Sequence, residues 1–193
     1  MAKKPRDYQD AAVQSVFEYF ENNDGNPIIA MPTGTGKSIV IGEFLRRAFA
    51  SYPMTRAMLL THVKELIEQN FARFMDLWPA APAGIYSSGL GLKQSGFPIT
   101  FGGIGSVVNV ASKFGFIDFV IVDEAHLISP TDATQYRKFF QALRAVNKNL
   151  KIIGLTATPY RIISKFVIYN GEQYYTSSLR MINRIPKFFW KNI

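Results

Sequence analysis

The chain has 193 residues, 48% hydrophobic and 19% charged, a balance that supports one globular domain and argues against disorder. No apolar run approaches the ~20 residues of a membrane span. The start reads as non-secreted, and the absence of cysteine removes disulfides and thiolate metal sites and fits a cytoplasmic protein. The formal charge is +8; beyond Pro159 six basic residues against Glu172 put +5 of it in the tail and leave +3 for the rest. Such a tail serves solubility or reaches a polyanion.

In chain order, apolar residues from Asp7 to Phe20 recur at helical spacing, and Asn23-Asp24-Gly25-Asn26-Pro27 ends that helix. Pro27 to Met31 reads as a short buried strand and Lys37 to Ser51 as the helix it feeds. A strand over Arg56 to Thr61 precedes a helix near Val63 to Trp78, and shorter strands are predicted at Ala83 to Tyr86 and Ile99 to Phe101. Phe119 to Val122 is almost wholly apolar, as in a strand covered on both faces. A helix over Thr131 to Val146 and a strand over Lys151 to Leu155 complete the alternation. Strands alternating with helices predict an α/β sandwich around a central, mainly parallel sheet. Residues 162–193 are irregular in pattern, rich in aromatic and basic side chains, and are expected to form an appendage.

Two segments carry the chemistry. In M-P-T-G-T-G-K-S, Met31 to Ser38, the loop Thr33-Gly34-Thr35-Gly36 follows a strand and opens a helix. Gly34 and Gly36 permit backbone angles that turn successive N–H groups toward one anion, and the helix adds its positive end. Lys37 supplies a cation for β- and γ-phosphates, and the Ser38 hydroxyl can ligate Mg²⁺. The general pattern has glycine where this chain has Met31. In F-V-I-V-D-E-A-H, Phe119 to His126, adjacent acids at a strand end can divide two tasks. Asp123 is expected to hold Mg²⁺ and Glu124 to orient and deprotonate the attacking water. Together the segments predict an ATP- and Mg²⁺-using P-loop enzyme.

From Arg6 to Arg161 the chain resembles the first RecA-like lobe of superfamily 2 helicases and translocases, the DEAH-type branch, of bacterial or phage type. That resemblance implies a P-loop NTPase fold, a RecA-like three-layer sandwich over residues 1–161. Arg6-Asp7-Tyr8-Gln9 is similar to the family's adenine-recognition motif, in which Arg6 and Gln9 belong to the ATP site; an amide matches adenine N6 and N7. Leu60 to Leu66, with Thr61 and His62, resembles the segment that touches the nucleic-acid backbone. Thr100 to Ser106, with Gly102 and Gly103, resembles the next such motif, though its glycines serve equally as a turn. Thr156-Ala157-Thr158-Pro159 resembles the motif that couples nucleotide state to nucleic-acid grip, through Thr156, Thr158 and His126.

The resemblance implies a nucleic-acid partner, DNA in preference to RNA, and a second RecA-like lobe. That lobe would bring an arginine finger, worth roughly 10³ to 10⁵ in rate. It does not fit in residues 162–193, so it is expected in trans or lost by truncation. The 193 residues alone are therefore expected to bind nucleotide, to hydrolyse it very slowly and not to unwind. A nucleotide- or nucleic-acid-holding module without turnover remains the alternative.

Overall fold

The computed structural model describes residues 4–125, 130–157, 160–169 and 172–181, with backbone placement only for 130–133 and from 158 onward. Helix α1 (Asp7–Asn22) precedes β1 (Ile28–Ala30), α2 (Lys37–Ser51), β2 (Ala57–Thr61) and α3 (Lys64–Leu77). Strands β3 (Ala83–Ser87), β4 (Leu92–Lys93) and β5 (Ile99–Gly103) follow, then the short α4 (Ile104–Val107) and a 3₁₀ turn at Ala111–Phe114. The chain continues through β6 (Phe119–Val122), α5 (Pro130–Val146) and β7 (Lys151–Thr156) to β8 (Tyr160–Tyr169) and β9 (Glu172–Met181).

Seven strands form one sheet in the order β1-β7-β6-β2-β5-β3-β4. Every pairing is parallel except that of β3 with β4. The predicted α/β RecA-like sandwich is thus the observed fold. Its layers follow from the strand sequences. In β2, Ala57 and Leu59 join a core with α1, α2 and α3, whereas Met58 and Leu60 join a core with α4 and α5. In β6, Ile121 faces the first core while Val120 and Val122 face the second. A period of two in strands that are apolar throughout makes both faces hydrophobic, and helices must cover both. The first core is ordered by aromatic contacts, with the Phe101 ring 5.2 Å from Phe74 and 5.4 Å from Phe71.

The predicted helix Lys37–Ser51 and strand Phe119–Val122 have the observed limits; the other predicted elements shift at their ends by one or two residues. Two features differ. Between β3 and β6 the chain adds β4, α4 and the 3₁₀ turn, all too short to show a period. After Thr156 the expected irregular appendage is an antiparallel ribbon of β8 and β9, paired from Tyr160↔Met181 to Tyr169↔Glu172. Strand β8 starts at Tyr160 and so runs across the expected boundary at residue 161.

One ionic cluster fastens α1 to α2. Glu43 accepts from Arg46 Nε at 2.8 Å and Nη2 at 2.7 Å and from Arg47 Nε at 2.7 Å, and Arg47 also pairs with Asp10 of α1. The bonded Arg46 guanidinium is the main cause that holds the Glu43 carboxyl below its ordinary value; burial opposes it and Arg47 adds to it. A depressed folded-state value means that the cluster's stabilisation is fully present above the ordinary glutamate value of about 4.3 and is lost as pH falls through the lower folded value. Urea denaturation midpoints measured from neutral pH down through the carboxylate range should fall less steeply with acid in Glu43→Gln than in the wild type. An unchanged acid slope would show that the cluster contributes nothing.

Candidate functional site

Met31 continues β1, its N–H donating to the Thr156 carbonyl at 2.9 Å. The Met31 side chain is buried in the first core, which is the packing reason this position tolerates a large residue. The chain then turns: Thr35 Oγ1 donates to the Pro32 carbonyl at 2.6 Å, and Thr33 and Gly34 are exposed. Gly34 and Gly36 have φ of 80° and 85°, the left-handed region that glycine enters without cost. Gly36 caps α2, and Lys37 and Ser38 occupy its first turn.

The Gly36 position has a second demand. A Cβ there would lie 2.4 Å from Gln9 Nε2, so the missing side chain makes room for that amide. Gln9 is buried, its Oε1 accepting from the Arg6 N–H at 2.9 Å and its Nε2 donating to the Thr35 carbonyl at 2.8 Å. Tyr8 donates to the same carbonyl at 2.9 Å. The amide expected to meet a base is therefore seated on the loop, while Arg6 is exposed at the start of α1.

On the other side, β6 lies between β7 and β2 and delivers Asp123 and Glu124 to the same sheet edge. Asp123 is 6% exposed, its Oδ2 accepting from Asn70 Nδ2 at 2.7 Å and its Oδ1 from the Glu124 N–H at 2.9 Å. Glu124 has φ of 48°, a costly conformation for a residue with a Cβ. Its Oε1 lies 2.9 Å from Lys37 Nζ. Lys37, Ser38, Asp123 and Glu124 thus line one cavity of about 740 Å³, together with Gly34, Gly36 and the α3 residues Asn70 and Arg73.

This donor set fits magnesium delivered with a nucleotide. One hydroxyl and one buried carboxylate leave the other octahedral positions to water and phosphate oxygens, the usual way Mg²⁺ is held at triphosphates. Among the described residues no group of three His, Cys, Asp or Glu side chains could hold a metal by itself.

The four residues expected at nucleic acid lie together at the ends of neighbouring strands, with Leu60 opposite Gly102 and Thr61 opposite Gly103. Thr61 is fully buried and its Oγ1 accepts from the Val63 N–H at 3.3 Å. That hydroxyl shapes the turn into α3, whereas His62 is half-buried beside it. At Gly102 a Cβ would lie 3.1 Å from Val107 Cγ1 and 3.3 Å from the Tyr86 carbonyl, so close strand packing explains this glycine. Thr156 ends β7, buried opposite Ala30. His126 and Thr158 lie outside the described residues.

Asn70 is the site residue that sequence reasoning missed. It interrupts the buried stripe of α3 between Ile67 and Phe74, and a polar residue on an apolar helical face is the signal that could have found it.

Comparison with known proteins follows the same lines. Residues 2–161 match the family described as Type III restriction enzyme, res subunit. The Type I restriction enzyme EcoAI endonuclease subunit of Escherichia coli is 25% identical over 189 residues, 92% of this chain and 22% of that protein. The ATP-dependent Type ISP restriction-modification enzyme LlaBIII bound to DNA superposes with a TM-score of 0.64 at 20% identity, covering 92% of this chain and 14% of the enzyme. The UvsW helicase from Bacteriophage T4 gives a TM-score of 0.61 at 21% identity, covering 81% of this chain and 54% of the helicase. The chain thus spans about a fifth of the curated relative's length. By the extent of the family match the chain belongs to the Type III restriction enzyme res-subunit family, and it has the fold of a helicase-like lobe.

Proposed function

We propose that this lobe binds and hydrolyses ATP with Mg²⁺ and drives movement along DNA once a second RecA-like lobe, in the same polypeptide or in trans, closes over the cavity. The observation that carries the reading is the convergence of Lys37, Ser38, Asp123 and Glu124 on one cavity beside the left-handed glycine loop. Loop N–H groups from Thr33 to Gly36 cradle the phosphates, and Lys37 neutralises the terminal ones. Ser38 and Asp123 hold Mg²⁺, which supplies charge neutralisation at the phosphate oxygens. Glu124 orients the attacking water and accepts its proton.

The ion pair at 2.9 Å between Lys37 and Glu124 is then the resting arrangement. A γ-phosphate competes for the ammonium, releases the carboxylate and so makes the base available only when nucleotide is seated. Gln9 already commits one Nε2 hydrogen to the Thr35 carbonyl, and reading adenine uses the other. Without an arginine from a second lobe, turnover by these 193 residues is slow. Thr61, His62, Gly102 and Gly103 mark the nucleic-acid side, with backbone N–H groups, His62 and the loop surface as the contacting parts and the buried Thr61 hydroxyl as their support. The coupling segment of His126, Thr156 and Thr158 follows both in sequence order.

The same ion pair favours one second reading, a module that holds nucleotide without turnover because its cation and base neutralise each other. Phosphate release with and without single- and double-stranded DNA separates the two, since a measurable rate abolished by Glu124→Gln belongs only to the first. Lys37→Ala should lower ATP affinity at least about tenfold, whereas Glu124→Gln should keep binding and lose hydrolysis. Equal ATP affinity in wild type and Lys37→Ala would refute the site. Gln9→Ala should erode the preference for ATP over GTP in competition binding, and an unchanged preference would discard its adenine role.

A further inference from the structure

Asp123 is held by a residue outside every motif described above. Asn70 lies at the middle of α3, 8% exposed, on the stripe that also buries Ile67 and Phe74. Its Nδ2 donates to Asp123 Oδ2 at 2.7 Å, the short distance expected of a donor facing an ionised acceptor. The other carboxylate oxygen is engaged by the Glu124 N–H, so both oxygens have fixed directions. Asn70 shares a small cavity with Ser38, Ile41, Leu59, Phe74 and Phe101, apolar surroundings with one hydroxyl. Packing alone would favour a leucine here, because burying an amide costs free energy unless it is paired. The one strong bond this amide makes is to the carboxylate.

We propose that Asn70 is the positioning residue for the magnesium-holding carboxylate, fixing the rotamer of Asp123 so that one oxygen stays directed at the cation. The inference rests on the assignment of Asp123 to Mg²⁺ and adds to it a connection through α3. This helix begins at Lys64, directly after Thr61, His62 and Val63, so a shift of the loop at its start reaches Asp123 through one hydrogen bond. Residues that orient a metal ligand typically change metal affinity 10- to 100-fold.

The test measures binding of a fluorescent ADP analogue to the 193-residue chain in excess Mg²⁺ and in EDTA. Wild type should bind more tightly with the metal. Asn70→Leu, which keeps the branched shape and removes the donor, should lose ~10- to 100-fold of the Mg²⁺-dependent affinity and leave the EDTA value within about twofold. Asn70→Ala should behave alike, and circular dichroism verifies the fold of each. A structural role alone would lower both affinities together, and that outcome overturns the proposal, as does an unchanged Mg²⁺ dependence. If neither variant folds, the Asn70 side-chain amide resonance of the wild type decides: it should move with Mg²⁺–ADP but not with ADP in EDTA, and a metal-independent response overturns the proposal. Wild type that binds no nucleotide, or binds it without regard to Mg²⁺, sinks the site assignment itself. Asn70 variants identical to a Mg²⁺-dependent wild type sink only the positioning role.

Discussion

Parallel pairing of β1, β7 and β6 is the constraint on which the rest depends. In a parallel sheet neighbouring strands finish at one edge, and their connections must travel back along the faces through helices. Residues 37 and 123, far apart in sequence, therefore arrive at one cavity without any direct signal between them. The register makes this concrete: Ala30 opposes Thr156, and Val122 opposes Gly154 on the next strand. A slip by one residue would exchange the side chains that β6 and β7 send into the two cores, so the register is held by side-chain packing on both faces.

Charge at that edge is held by pairing in place of solvent. Lys37 and Glu124 are both largely covered, and their contact at 2.9 Å offsets desolvation that either would suffer alone. Among the described residues Asp123 makes no salt bridge; its carboxylate accepts from an amide and a backbone N–H. The two adjacent acids thus have different environments, one braced by neutral donors and one neutralised by lysine. Their separation follows from the backbone, because the left-handed turn at Glu124 sends its side chain away from that of Asp123 toward α2. A conformation this costly persists only where surrounding structure determines it.

Much of this arrangement was legible in the residues. Lys37–Ser51 has its limits marked by the glycine before it and the aromatic-proline break after it, and Phe119–Val122 is apolar enough to need two covered faces. The loop and the acid pair were readable because each residue type has a distinct chemical duty there. Pairing within the site was less legible. Gln9 was expected to face a base, yet it seats on Thr35 because the missing side chain at Gly36 leaves room; only three-dimensional packing reveals that vacancy. The Thr61 hydroxyl, in the segment expected at the nucleic-acid backbone, accepts the Val63 N–H and shapes the turn into α3, a role that spacing does not show. The β8–β9 ribbon escaped because basic and hydroxyl residues blur its alternation, although Asn170-Gly171 between two ten-residue runs is a strong hairpin signal.

Met31 leaves one mechanical consequence. The phosphate loop is held at its entrance by the Met31 side chain, buried in the first core, and at its exit by the first helical turn, while Thr33 and Gly34 stand in solvent. Stiffness is therefore graded along five residues. Reshaping around an arriving anion is confined to the middle of the loop, and the strand that anchors it need not move.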